Sequence, residues 1–117
     1  MKRDMDLVRE ILLAIESFPF DGDAHEILIQ GRSQDEVAYH LKLLREAGLI
    51  DALDTSSMDG PEFLPRSLTW SGHEFLDASR DPSRWAQAKT LMVKAGGSLT
   101  FEVLKNTLVN IMTTQII

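Results

Sequence analysis

Apolar residues recur at helical spacing along much of this chain, and at strand-like spacing between those stretches. Met5, Val8, Ile11, Leu12 and Ile15 share one face, while Lys2, Arg3, Arg9 and Glu10 lie off it. This predicts an amphipathic helix to about Ser17, capped by Asp4 or Asp6. Phe18-Pro19-Phe20 ends it, because a residue before proline avoids the helical region. Asp21-Gly22-Asp23 reads as a turn; the ligand spacing and closing glutamate of a calcium loop are missing. His25 to Gln30 (HEILIQ) reads as a short strand, broken by Gly31. A central helix then starts at Ser33, with Val37, Leu41, Leu44 and Gly48 on one face. Ser33 and Glu36 have the spacing of a capping box, and Gly48 suits a left-handed helix end.

Leu49-Ile50 opens the next element. Ile50 to Thr55 and Phe63 to Leu68 are expected to pair as a hairpin, with Ser56-Ser57-Met58-Asp59-Gly60-Pro61 at its tip and Pro65 marking an edge strand. Thr69 is a natural cap for a helix whose buried side would hold Trp70, Phe75 and Leu76. Asp81-Pro82 starts another helix, with Trp85, Ala88, Met92 and Ala95 on one face down to Gly96-Gly97. Ser98 or Thr100 would cap a last helix carrying Phe101, Leu104, Leu108 and Ile111 as a stripe. The expected class is α+β, mostly α: helix, short strand, helix, two-stranded wing, then additional C-terminal helices. We expect residues 1–97 to form the main domain and residues 98–117 a helix packed on it or on a second copy.

Composition narrows the function classes. A chain of 117 residues with 44% hydrophobic and 26% charged residues is that of an ordinary soluble domain. It has no cysteine, hence no disulfide framework, thiolate nucleophile or cysteine zinc site, which fits a reducing cytoplasm. The start is charged and periodic, unlike a signal peptide, and no apolar run reaches the roughly 20 residues of a membrane span. A soluble, cytoplasmic protein with no membrane partner is expected. The net charge of −6 is uneven: residues 1–69 carry seven Lys/Arg and fourteen Asp/Glu, whereas residues 70–117 carry five and four. Duplex DNA draws its binders by phosphate neutralisation, so an acidic front half counts against it.

The central S-x-x-x-V-x-x-H-L-K-x-L-R-E-A-G-L-I resembles the recognition-helix segment of small bacterial winged-helix regulators. With MKRDMDLVREILL, LTWSGHEFLDA and GGSLTFEVLK it resembles a family of short bacterial and phage proteins of unknown function with a predicted winged-helix fold. The resemblance covers nearly the whole chain. It implies the fold and brings no catalytic residue, cofactor or substrate with it. The chain departs from a helix-turn-helix in one place: an extended segment stands where a positioning helix would precede the central one.

No catalytic, metal or cofactor site emerges from the residues. His25, His40 and His73 lack helical metal spacing, and His73-Glu74 diverge as neighbours on a helix. His40, beside Leu41, reads as a boundary residue. Gly96-Gly97-Ser98 lacks the P-loop lysine and reads as a helix stop and cap. Two binding readings follow. In the first, the protein is a non-enzymatic module acting by protein–protein interaction, with itself as a two-fold dimer through Phe101, Leu104, Leu108, Ile111 and Met112, since that helix is apolar over much of its circumference. The alternative is a DNA-binding regulator that inserts the 33–47 helix into the major groove. Ser33, Gln34, Tyr39, Lys42 and Arg45 would be its contacts, with Arg66 on a phosphate.

Overall fold

Asp4 starts the first helix. Its carboxylate accepts from the backbone N–H groups of Asp6 and Leu7 at 2.9 and 3.3 Å, satisfying donors that the first turn leaves open. The computed structural model describes residues 1–94 and 101–116, leaving the side chains at 92, 93, 101–103 and 112–116 outside that description. Within those bounds the chain is mixed α+β and mostly helical. Five helices, α1 (Met5–Glu16), α2 (Gln34–Glu46), α3 (Trp70–Ser79), α4 (Pro82–Lys94) and α5 (Phe101–Ile116), accompany the strands β1 (Ile50–Asp54) and β2 (Phe63–Leu68). None of the described helices is long and apolar enough to cross a membrane.

Packing divides the chain into two compact units, Met1–His73 and Glu74–Ile117, so α4 and α5 belong together and the grouping differs from a division at residue 97. In the first unit α1 packs on α2 and β2, and α2 also packs on β1. The core takes Leu7, Val8, Ile11, Leu12 and Ile15 from α1, and Val37, Leu41 and Leu44 from α2. Leu7 replaces the expected Met5, which is half-buried. In the second unit Phe75, Leu76, Trp85, Ala88, Leu104, Leu108 and Ile111 are buried, with the Phe75 and Trp85 rings edge-on at 6.3 Å.

Past the Ala47 cap of α2, Gly48 takes the left-handed φ of 75° that a side chain would resist. The chain then enters an antiparallel hairpin, Ile50 opposite Leu68 and Asp54 opposite Phe63, with a register shift between Asp51 and Ala52 that leaves Arg66 as the extra residue of a bulge. The base of the hairpin is latched. Thr69 donates its backbone N–H to the Leu49 carbonyl and its hydroxyl to the Gly48 carbonyl, at 3.0 and 2.6 Å. The same hydroxyl accepts from the Gly72 N–H at 3.2 Å, capping α3. A Cβ on Gly72 would overlap the Leu49 carbonyl oxygen, so only glycine lets α3 close on this turn.

Two expectations are corrected. His25–Gln30 forms no strand. The His25 N–H does reach the Pro65 carbonyl at 3.0 Å, but proline has no N–H to return, so the first rung of a ladder is half made. Trp70 is 81% exposed. It lies two residues, about 200° of helical rotation, from Gly72, while Phe75 and Leu76 share the Gly72 side and are buried. Of the stripe assigned to self-association, Leu104, Leu108 and Ile111 are buried within the single chain. The side chains of Met92, Phe101 and Met112 lie outside the described residues, and so do Ala95, Gly96, Gly97, Ser98, Thr100 and Ile117 altogether.

Candidate interaction surface

The residues expected to read DNA are mostly engaged by other groups of the same chain. Ser33 caps α2: its hydroxyl accepts from the Glu36 N–H at 3.1 Å, and Glu36 accepts from the Ser33 N–H at 3.3 Å. Lys42 pairs with Glu46 at 3.0 Å. Arg45 donates Nε to the Ala52 carbonyl at 3.0 Å. That carbonyl is on the outer edge of β1, so the guanidinium closes part of an open strand edge. Arg66 makes a forked contact with Asp51 at 3.2 and 3.3 Å. Tyr39 is half-buried, edge-on to His40 at 5.7 Å. Gln34 alone of the six is both exposed and outside any described hydrogen bond.

A second cluster joins α1 to α2, and sequence reasoning passed over most of it. His40 is buried, 1% exposed. Its Nε2 accepts from the Asp4 backbone N–H at 2.8 Å, so its Nδ1 carries the proton donated to the Glu36 carbonyl, also at 2.8 Å. The two contacts fix the neutral tautomer. Arg32 reaches Asp4 at 2.8 Å and Glu36 at 3.4 Å, bridging the two helix caps. Burial raises the Asp4 carboxyl, but the Arg32 guanidinium and the Leu7 and Asp6 N–H groups outweigh it and hold the pKa below the ordinary value. Glu36 is held low as well, first by the Ser33 N–H and then by Arg32. The signal was present: His40 falls beside Val37, Leu41 and Leu44 at helical spacing, and Arg32 stands four residues before Glu36.

Two grooves open on the first unit. One, of about 490 Å³, lies among Ile15, Phe18, Phe20 and Leu68, with the Asp51–Arg66 pair and the exposed His73 at its edge. The other, of about 430 Å³, lies between Glu26–Leu28, the first turns of α2 and Pro61–Leu64. Its base is apolar: Ile27, Val37, Leu41 and Phe63. Leu28 beside it is 74% exposed. Its charged lining is all of one sign, Glu26, Asp35 and Glu62. The hairpin tip continues that sign with Asp54 and Asp59, and Asp54 is held below its ordinary pKa by its hydrogen bonds with Ser56. This surface can accept cationic and apolar groups and has little to offer a phosphate.

Comparison with known proteins gives a family and a relative. A family model described as a hypothetical protein, DUF2513, matches residues 2–98. An uncharacterized protein of Haemophilus influenzae is 39% identical over 109 residues, 90% of each chain. No solved structure matches the chain.

Proposed function

The chain belongs to the DUF2513 family, and for it we propose a non-enzymatic binding module on a winged-helix-like frame, acting by contact with another protein. The frame is supported by the order helix, extended segment, helix, hairpin, helix. The observation that carries the protein reading is the state of the cations on and beside α2 and on the hairpin. Lys42, Arg66 and Arg32 each face a carboxylate, and Arg45 is turned onto a strand edge. A phosphate would have to displace these contacts and approach a hairpin rich in Asp and Glu.

DNA binding through α2 remains the second reading, favoured by Gln34, an amide exposed at the start of the helix and chemically suited to adenine. A mobility-shift assay at low and moderate salt separates the two. The protein reading expects a shallow salt dependence and a Kd weaker than about 10⁻⁶ M at physiological salt. Tight binding to one duplex, lost in Gln34→Ala or Arg45→Ala, would overturn it.

A further inference from the structure

The acidic groove of the first unit has an unfinished sheet as one wall. Alternation along β2 follows from the contacts. The Glu62 carbonyl accepts from the Thr55 N–H, so Glu62 and Leu64 point their backbone groups at the β1 arm. Phe63 and Pro65 therefore point theirs outward, as the His25 bond to the Pro65 carbonyl agrees. The segment after His25 runs antiparallel to β2, so Ile27 would be the next to meet Phe63. Yet no backbone hydrogen bond joins Glu26–Leu28 to Pro61–Leu64. The two stretches are joined at His25–Pro65 and by no backbone hydrogen bond beyond it, and residues of both line the groove.

We infer that this opening receives an extended segment of a partner protein, with apolar residues alternating with Lys or Arg, whose backbone bonds to the outward N–H and carbonyl of Phe63. An added strand sends alternate side chains to opposite faces. One set meets the apolar base around Val37 and Leu41, and the other meets Glu26 and Glu62, which alternate with the buried Ile27 and Phe63. Charge selects the partner: the lining holds three carboxylates and no Lys, Arg or His. The backbone supplies the grip, as in strand addition at other exposed sheet edges. This inference rests on the protein-binding reading and gives it a location.

The test uses the full chain and a fluorescent peptide of alternating Lys and Val, titrated by anisotropy. Its controls are an alternating Glu and Val peptide and a Lys-Val peptide with alternate amides N-methylated. The expected result is saturable binding of the Lys-Val peptide, at least about tenfold tighter than either control. Combined Glu26→Lys, Asp35→Lys and Glu62→Lys should weaken it at least about tenfold, while the same charge change at Glu10, Glu46 and Asp77 should not. The Phe63 amide should shift in the NMR spectrum and become protected from exchange. Absence of binding overturns the inference. So does equal loss from the two triple variants, or full binding by the N-methylated peptide, since both describe unspecific attraction. The duplex assay is independent: tight DNA binding would overturn the broader reading whatever the peptide does.

Discussion

At the residue scale the molecule turns on a few small contacts. Gly72 is one: Gly72→Ala should destabilise the protein by about 1–3 kcal/mol or more, despite alanine's better helix propensity, because the added methyl meets backbone that cannot rotate away. Chemical denaturation measures it, and an unchanged midpoint would show that α3 can shift to make room. His40 is another. His40→Ala removes the acceptor for the Asp4 N–H and the donor to the Glu36 carbonyl and leaves a hole, at a cost of about 2–4 kcal/mol by the same assay. Thr69 was legible as a helix start, because capping is local chemistry; what Gly72 does beside it was not. The overlap with Leu49 joins residues far apart in the chain. His40 was read as a boundary residue because its two partners come from the cap of another helix and from its own helix backbone.

At the element scale, the helices and the hairpin were legible, and the third strand was misread. Ser33 with Glu36, Gly48, and the alternation of the two arms each carry their own instruction. HEILIQ has strand composition too, but a strand exists only if its neighbour answers, and Pro65 cannot. A Pro65 substitution is therefore no simple repair, since this side chain is fully buried. The α1–α2 junction has a pH signature. The Asp4 and Glu36 carboxyls are held below their ordinary values in the folded chain. Their stabilisation is thus present above the unfolded carboxylate range and is lost as pH falls through the depressed folded values, below about pH 4. Thermal melts from pH 6 to 2 should fall steeply at the acid end, and Arg32→Gln should flatten that fall. An Arg32→Gln profile parallel to wild type would remove Arg32 from the account.

At the scale of the whole molecule, charge and burial decide different things. Charge excluded little from the sequence alone, because a count of Asp and Glu does not say which cations they occupy. Burial bears on α5. Leu108 is fully buried, so Leu108→Ala should cost about 2–5 kcal/mol of stability and leave the solution mass by light scattering unchanged. A change of mass without loss of stability would return this helix to an interface between copies. The candidate groove was not legible, because its walls come from three stretches whose approach no single spacing encodes.

The latch at the base of the hairpin has a consequence for engineering. Gly48, Leu49, Thr69 and Gly72 hold the two ends of the β-arms together, so the ends stay joined whatever lies beyond Asp54 and Phe63. Chain inserted at the Ser57–Gly60 turn would then pay only for its own loop closure, about 0.6 kcal/mol for each doubling of length. The hairpin tip is a place where foreign peptide could be displayed without asking the rest of the fold to move.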